Sequence, residues 1–327
     1  MNLSNHHFNF LEIKIVPSYI CTKKCSYCYN NNSKILRPQT NIDELFKSLL
    51  NISHITAKSR VIEIIGGEPL GNSSFNLTKK IIKQIREQMS GSRIVLQSGV
   101  YSLKRITEIF PYIDGFSYSI DLSNSPKAIN RRNLEKIATL SLEYSVPIQL
   151  QTVLNLDDSY SSIKEYLDEC DNLNYKWIGL SFPEYTTYTN KELDYQVDIY
   201  VNLIKNIAMW KNLKLGGGII GSVCDYLAGI EYNSCCMCGE CTVTIQPDGS
   251  ITPCYHQEVN NLYSIDEISS AKVLRANHLR NSVCKECDYW CVCHGGCLKG
   301  GIFYHDDPQA IDDSFCYVLK KTIDILR

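Results

Sequence analysis

The 327-residue sequence lacks the features that place a protein in a membrane, in a secretory pathway or on a nucleic acid. No window approaches about eighteen apolar residues, and the N-terminal MNLSNHHFNF has no basic stretch followed by an apolar run. The 33 basic and 35 acidic residues leave a net charge of only -2, which argues against a broad basic surface for nucleic acid. We therefore expect a cytoplasmic protein with no membrane and no nucleic-acid partner.

Cysteine, by contrast, is abundant, with 16 residues in a composition that is 44% hydrophobic and 21% charged and thus typical of globular proteins. In a reduced compartment thiols are usually metal ligands or catalysts, although a small disulfide-stapled domain is an alternative. The first four are Cys21, Cys25, Cys28 and Cys170, and the other twelve lie between 224 and 316. This shift predicts two domains, residues 1–211 and 212–327.

Short runs of β-branched or aromatic residues alternate with helical patterns over the first two-thirds of the chain. The predicted strands are 11–16, 61–65, 93–97, 116–120, 147–153 and 177–182, and the predicted helices are 42–53, 74–89, 102–110, 127–144, 159–170 and 191–210. Six strand-helix repeats predict an α/β fold with a parallel sheet. Because six units are too few for a complete eightfold barrel, a partial (β/α)6 TIM-like barrel is favoured over a flat doubly wound sheet, from which periodicity does not separate it.

The last third of the chain follows a different pattern. GGGIIG at 216–221 predicts a loop, and TVTIQPDGSITPC at 242–254 predicts a β-hairpin around a Pro-Asp-Gly turn. The stretch after Cys284 is crowded with cysteine and glycine and precedes a last helix near 309–326. Such a stretch has too little apolar surface to fold by burial alone, so we expect bound metal to supply the missing stability.

The segment CTKKCSYCY directly follows the first predicted strand and places Cys21, Cys25 and Cys28 on one loop. A structural zinc site takes four protein ligands. Three thiolates instead suit an iron-sulfur cluster in which one iron stays open to an exogenous ligand. The alternative is a chance group of reduced cysteines.

This CxxxCxxC loop, with Tyr27 before its last cysteine, resembles the signature of radical SAM enzymes, which hold a 4Fe-4S cluster whose open iron binds S-adenosylmethionine. The likeness continues after the second strand, where GGEP is similar to the family motif that contacts the methionine amino group. Two glycines allow a close backbone approach, and a carboxylate is a partner for an ammonium. The motif consists of Gly66, Gly67, Glu68 and Pro69.

Weaker matches imply further contacts to S-adenosylmethionine. Ser98, in LQSG, stands where many relatives have an asparagine that contacts the ribose. Ser119 and Asp121, in SID, resemble the family's SLD, whose serine approaches the carboxylate of the methionine moiety. Arg131 or Arg132 could complete that contact through a bidentate fork. An ordinary polar loop residue is the alternative at each position.

The C-terminal cysteines resemble the seven-cysteine SPASM extension of radical SAM enzymes, which holds two auxiliary 4Fe-4S clusters. The resemblance assigns the outer cluster to Cys284, Cys287, Cys293 and Cys316. It assigns the inner one to Cys254 and Cys297 with two of four upstream cysteines, for which Cys238 and Cys241 are preferred over Cys235 and Cys236. Three clusters then use eleven thiolates and leave five of the sixteen cysteines without an assigned cluster role, namely Cys170, Cys224, Cys291 and two of the upstream group. A zinc ribbon is the alternative for this region alone.

The resemblance implies a peptide maturase that cleaves S-adenosylmethionine reductively, abstracts hydrogen from a precursor peptide and leaves a crosslink or other oxidative modification. A sulfatase-maturase-like enzyme, a small-molecule SPASM dehydrogenase and a non-catalytic iron-sulfur module are the alternatives. Tyr255 and His256 follow Cys254 where the sulfatase branch has an aspartate, which disfavours that branch. The expected electron donor is a flavodoxin or ferredoxin. Because the cluster loop begins at residue 21, we expect leader recognition to use the barrel, the bridge near 183–240 or a separate leader-binding protein.

Overall fold

The structure is a computed structural model that describes residues 8–23, 25, 27–28, 37–54, 57–99, 102–122, 127–184, 186–230, 242–252, 254–255, 282–293, 295–307 and 310–327. These residues form two compact units. Unit 1 contains the described residues of 1–118, 140–147 and 237–276, and unit 2 contains those of 119–139, 148–236 and 277–327. The predicted domain boundary at 211/212 rests on the change in cysteine content and remains a prediction.

Unit 1 is built on a mainly parallel sheet. Its strands are β1 (Phe8–Ile15), β2 (Ala57–Ile64), β3 (Arg93–Ser98), the first part of β4 (Gly115–Asp121), β8 (Thr242–Ile245) and β9 (Ile251–Thr252). The order is β4-β3-β2-β1-β8-β9, in which only the β8–β9 pair is antiparallel. The predicted hairpin at 242–254 is therefore confirmed, and its first strand lies beside β1.

The two faces of β1 differ because successive side chains of a strand point to opposite sides. Leu11, Ile13 and Ile15 are fully buried. Lys14 lies on the other face, where its ammonium is 2.9 Å from the Glu63 carboxylate of β2. Such a strand has an apolar helix-facing side and a polar side, as the partial-barrel prediction requires.

Unit 2 continues the βα pattern. It contains the end of β4 and the parallel strands β5 (Ile148–Val153), β6 (Trp177–Ser181) and β7 (Lys214–Gly216), in which β6 pairs with both neighbours. Tyr166 and Cys170 of the helix after β5 are buried, as the predicted amphipathic pattern requires.

Eleven helices accompany these strands in the described ranges. They are α1 (Ile42–Ser53), α2 (Phe75–Gln88), α3 (Leu103–Ile109), α4 (Lys127–Tyr144), α5 (Tyr160–Asn172), α6 (Asn190–Lys205), α7 (Gly218–Leu227), α8 (Ser282–Lys285), α9 (Trp290–Cys293), α10 (Leu298–His305) and α11 (Asp313–Leu326). The six predicted strand-helix repeats are thus confirmed. Within the described ranges, none of these helices combines the length and apolar character needed to span a bilayer.

The prediction of a loop at 216–221 is wrong. The structure has the short strand β7 there, followed by α7, whose Ile219, Ile220 and Val223 are buried. Gly217, at a φ of 106°, makes the sharp turn between the two elements. The glycines therefore mark a strand-to-helix turn, which their composition alone does not distinguish from a loop.

Two predicted helix ends also shift. The predicted helix 191–210 ends as α6 at Lys205, and a 3-10 turn over Ile207–Met209 follows. The last helix starts at 313 because Asp312 is its N-cap and accepts a hydrogen bond from the Phe315 amide. Local hydrogen bonds, which the hydrophobic pattern does not report, set both ends.

Candidate active site

The three-cysteine loop leaves the carboxyl end of β1 next to the end of β2. Beyond the strands, the Gly67 amide donates to the Ser18 carbonyl at 2.9 Å, and the Glu68 amide donates to the Ile20 carbonyl at 3.1 Å. The backbone that leads into Cys21 is therefore held directly against the GGEP segment.

Two glycines permit this close approach. Gly66 has a φ of 126°, and a β-carbon there would lie 2.7 Å from Val16 Cγ1. At Gly67 a β-carbon would overlap the carbonyl groups of Tyr19 and Ile20. Both positions thus require glycine for steric reasons that the structure makes explicit.

Glu68 is 3% exposed, and three donors hold its carboxylate. Oε1 accepts from the Leu70 amide at 3.0 Å and from the Ser98 hydroxyl at 2.5 Å, and Oε2 accepts from the Gly99 amide at 3.0 Å. A carboxylate offers about four acceptor sites, so one remains for a ligand ammonium. Ser98, predicted to contact the ribose, is buried and directed at Glu68, and the ribose contact remains a prediction.

The thiols of the loop lie together and beside this carboxylate. Burial is the main cause that raises the pKa of the Cys21 thiol, and the charges of Glu68, Cys28 and Cys25 raise it further. Cys25 and Cys28 are also joined by a backbone hydrogen bond of 3.1 Å. Tyr27, between them, is half-buried.

The donor set suits a cluster better than a single ion or a disulfide. None of the twelve described cysteines forms a disulfide with another described cysteine. In the described part of the chain, no three Cys, His, Asp or Glu side chains converge as a single-ion site. Three thiolates without a fourth protein ligand suit a 4Fe-4S cluster that keeps one iron open, whereas a structural zinc site takes four ligands.

A buried glutamine, which the sequence analysis missed, joins this loop to the hairpin that carries Cys254. The Tyr19 hydroxyl donates to Gln246 Oε1 at 2.5 Å, and Gln246 Nε2 donates to the Cys254 carbonyl at 3.4 Å. Gln246 is 2% exposed. No sequence signal marks this residue, because a polar residue directly before a Pro-Asp-Gly turn is common in hairpins.

Tyr255, the residue after Cys254, has packing contacts. Its ring lies 5.4 Å from the Lys14 ammonium, and its carbonyl is 3.4 Å from the Tyr19 hydroxyl. Cys254 itself is buried. The other preferred inner-cluster ligands of this region, Cys238 and Cys241, lie outside the described residues, as do Cys235, Cys236 and His256.

The four cysteines assigned to the outer cluster are brought together in unit 2. Burial raises the pKa of the Cys293 thiol to about 12, and the neighbouring Cys316, Cys284 and Cys287 add to the shift. Two short helices and α11 supply three of them, although Cys316 lies 23 positions after Cys293 in the chain. The grouping is the one that cluster ligation requires.

Backbone and side-chain donors surround these sulfurs. The Gly295 amide hydrogen-bonds to Cys293 and lowers its pKa, in a turn where Gly295 and Gly296 have φ values of 83° and 77°. Lys320 hydrogen-bonds to Cys287 and Cys316. Burial lowers the pKa of Lys320, but these two cysteines outweigh it and the net shift is upward. Donors to sulfur are a means by which proteins tune cluster potentials.

Other predicted site residues lie in unit 2. Ser119 and Asp121 are at the end of β4, and the side chain of Asp121 is outside the described part. Arg131 forms ion pairs of 3.3 Å with both Glu135 and Glu169, and Arg132 is exposed. Arg131 is therefore ion-paired with two helix carboxylates. The contact of Arg131 to S-adenosylmethionine remains a prediction.

The three described cysteines without a cluster role lie on three different helices. Cys170 is buried in α5, where burial raises the pKa of its thiol to about 12. Burial also raises the pKa of Cys224 in α7. Cys291 lies in α9, 3.9 Å from the Asp288 carbonyl. Cys297, assigned to the inner cluster, is the N-cap of α10 and half-buried.

Comparisons with known proteins agree with this geometry. A family described as a 4Fe-4S single cluster domain matches residues 18–125. The chain is 21% identical to the radical SAM cyclopropyl synthase TigE of Paramaledivibacter caminithermalis, over 95% of this chain and 72% of TigE.

Solved structures show the fold. Native anSMEcpe with bound AdoMet and Cp18Cys peptide aligns with a TM-score of 0.67 at 17% identity and covers 96% of each chain. The S-adenosylmethionine complex of Streptococcus suis SuiB aligns at 0.63 with 19% identity, over 94% of this chain and 75% of SuiB. The chain therefore has the fold of anSMEcpe and SuiB, and its sequence is similar to that of a radical SAM enzyme. The partial-barrel prediction is confirmed.

Proposed function

We propose that this protein is a radical SAM enzyme, and specifically a peptide maturase that makes a crosslink or another oxidative modification in a ribosomally synthesised precursor peptide. When bound, the cluster and S-adenosylmethionine would supply a 5'-deoxyadenosyl radical that abstracts hydrogen from the peptide. The observation that carries the proposal is the loop of Cys21, Cys25 and Cys28 held against a buried Glu68.

The residues of unit 1 would bind and orient these groups. Cys21, Cys25 and Cys28 would hold three irons of the first cluster. Because Gly66 and Gly67 have no β-carbon, the cysteine loop can lie close to the end of β2. Glu68 would accept from the methionine ammonium through its remaining acceptor site. Because it is buried, the interaction would be stronger than in water.

We also propose two auxiliary clusters. The outer one would be held by the grouped thiols of unit 2, and the inner one by Cys254 and Cys297 with Cys238 and Cys241. Lys320 and the Gly295 amide would stabilise charge on the outer cluster. A flavodoxin or ferredoxin would donate the first electron, and a separate protein could present the leader of the substrate.

The peptide assignment is supported by the relatives. The anSMEcpe complex contains a peptide together with AdoMet, and TigE is a cyclopropyl synthase. The packing of Tyr255 between Lys14 and Tyr19 gives no support to a proton-accepting role at the position after Cys254. For that reason we rank the sulfatase-maturase type below the crosslinking type.

Anaerobic reconstitution followed by incubation with S-adenosylmethionine and dithionite tests the proposal. We expect about twelve irons and twelve sulfides per chain, four per cluster, and release of 5'-deoxyadenosine. Changing Cys21, Cys25 and Cys28 to alanine should abolish release and leave about eight irons. Coexpression with short peptides encoded nearby should lower the mass of one of them by the hydrogens lost.

Cys170→Ala is the matched control, because that thiol is buried in α5 and has no cluster role. It should keep both the iron content and the release of 5'-deoxyadenosine. Intact clusters without any release would overturn the enzyme proposal. Continued release from the triple alanine variant would overturn the assignment of the three cysteines.

A further inference from the structure

Unit 2 contains a cavity of about 240 Å³ beyond the end of β6. Its wall is formed by residues that follow β6, by α6 and α7, and by the segment from Gly296 through α11. All of these residues belong to one compact unit. The cysteine loop and the Glu68 network, by contrast, are formed by residues of unit 1.

One buried side chain in this wall lacks a hydrogen-bond partner. Gln196, on α6, is 5% exposed, and its Nε2 has no partner among the described residues. An unsatisfied buried donor is destabilising, and a ligand that accepts its hydrogen bond would remove that cost. Its place in the cavity wall makes the cavity the space from which an acceptor would come.

Several other polar groups of the wall are already engaged. The Tyr188 hydroxyl donates to the Pro183 carbonyl at 2.6 Å, and the Tyr200 hydroxyl accepts from the Phe182 amide at 3.3 Å. Asp312 caps α11. Gln196 is therefore the group of this set that is ready to bind a ligand.

The charges of the wall select the kind of acceptor. Glu184 and Asp312 are the charged residues among the described lining residues, which include no Lys, Arg or His. A ligand carboxylate or phosphate would meet two negative charges without a cation to offset them. A neutral carbonyl oxygen, such as that of a peptide amide, satisfies the Gln196 donor without this repulsion.

The remaining wall is apolar. Phe182 and Val318 are buried, and Ile219 and Phe315 add further hydrocarbon surface. Such a surface favours an aliphatic or aromatic side chain next to the carbonyl. Cys297, which we propose as a ligand of the inner cluster, is the one thiol among the described lining residues, so the cavity lies beside one ligand of that cluster.

We propose that this cavity is a substrate subsite that takes one apolar residue of the peptide, with its neutral amide carbonyl bound by Gln196. The proposal rests on the proposed function, because it assigns part of the peptide to unit 2. It also predicts that the segment of the precursor that enters the cavity has an apolar residue and no acidic side chain at that position.

Binding of two small probes to the oxidised, reconstituted full-length enzyme tests the subsite. Saturation-transfer NMR titrations with N-acetyl-L-leucine amide should show saturable binding, and N-acetyl-L-leucine, which ends in a carboxylate, should bind more weakly. Gln196→Met keeps the length of the side chain and removes the donor. We expect it to weaken binding of the amide about tenfold, as the loss of one buried hydrogen bond would.

Thermal unfolding without probe gives a second measurement, in which the variant that binds the probe more weakly is expected to be at least as stable as the wild type. Gln196→Met should unfold at the same or a higher temperature than the wild type, because it removes an unsatisfied buried group. Thr322→Val is the matched control, since Thr322 Oγ1 is also buried without a partner among the described residues and is outside the cavity wall. It should share the stability effect and leave probe binding unchanged.

Three results would overturn the subsite: no saturable binding of the amide to the wild type, equal affinity of Gln196→Met, or tighter binding of the carboxylate probe. Release of 5'-deoxyadenosine from the same preparations separates this outcome from the proposed function. If 5'-deoxyadenosine is released but the amide probe binds wild type and Gln196→Met equally well, only the subsite is refuted. If Gln196→Met weakens binding of the amide probe but no 5'-deoxyadenosine is released, only the proposed radical chemistry is refuted.

Discussion

At the residue scale, the contact between the cysteine loop and β2 depends on the missing side chain of Gly67. A β-carbon there would overlap the Tyr19 and Ile20 carbonyl groups just before Cys21. We predict that Gly67→Ala lowers stability by about 1–3 kcal/mol through overpacking and displaces the loop. Denaturant unfolding, iron content and 5'-deoxyadenosine release measure the two effects.

Gly91→Ala is the matched control for this substitution. Gly91 is exposed, and a β-carbon there would have nothing within 4 Å. We expect that variant to resemble the wild type in all three measurements. If Gly67→Ala also kept wild-type iron content and release, the close approach would have no role in cluster assembly.

At the element scale, α11 places a cation beside the thiols assigned to the outer cluster. Lys320 lies four residues after Cys316, one helical turn away, and hydrogen-bonds to Cys287 as well. A positive charge stabilises the more negative, reduced form of a cluster. We therefore predict that Lys320→Met shifts the reduction potential of one auxiliary cluster to more negative values in an EPR-monitored redox titration.

The neighbouring Lys321 provides the comparison on the same helix. Its ammonium bonds instead to Asp194 at 2.5 Å and to the Tyr317 hydroxyl at 3.0 Å. Lys321→Met should leave every cluster potential unchanged. Equal shifts in the two variants would mean that the helix as a whole, and not the Lys320 contact, sets the potential.

At the scale of the whole molecule, the chain contains segments that fold by burial and a segment that depends on its thiols. Strand β1 and helix α1 have several fully buried aliphatic side chains, including Leu11, Ile13 and Leu45. The helices α8 and α9 have four residues each and are too short to be stable alone. Metal binding would then be part of the folding energy of the second segment.

We predict that removing iron by oxidation and chelation leaves amide protection in β1 and α1 and abolishes it in α8 and α9. Hydrogen exchange with mass spectrometry, before and after reconstitution, measures this difference. Helix α2, which is well packed and far from any assigned thiol in the sequence, is the internal reference. Unchanged protection of α8 and α9 in the iron-free protein would show that burial alone folds them.

Hydrophobic periodicity located the six strand-helix repeats because each is a local pattern that recurs along the chain. It did not locate β7 and α7, because a run of glycines and two isoleucines is too short to show a period. Periodicity also did not predict where α6 ends or where α11 begins. Those ends depend on hydrogen bonds such as that between Asp312 and the Phe315 amide.

The sequence by itself determined the chemistry of the site, since the spacing of Cys21, Cys25 and Cys28 and the GGEP motif are local and need no long-range contact to be recognised. Only the tertiary structure decided which distant groups meet them. It joined the outer-cluster thiols across α8, α9 and α11, directed Ser98 at Glu68 and left Gln196 facing a cavity. These outcomes depend on packing between elements far apart in the chain, and that packing has no signature within any single stretch of residues.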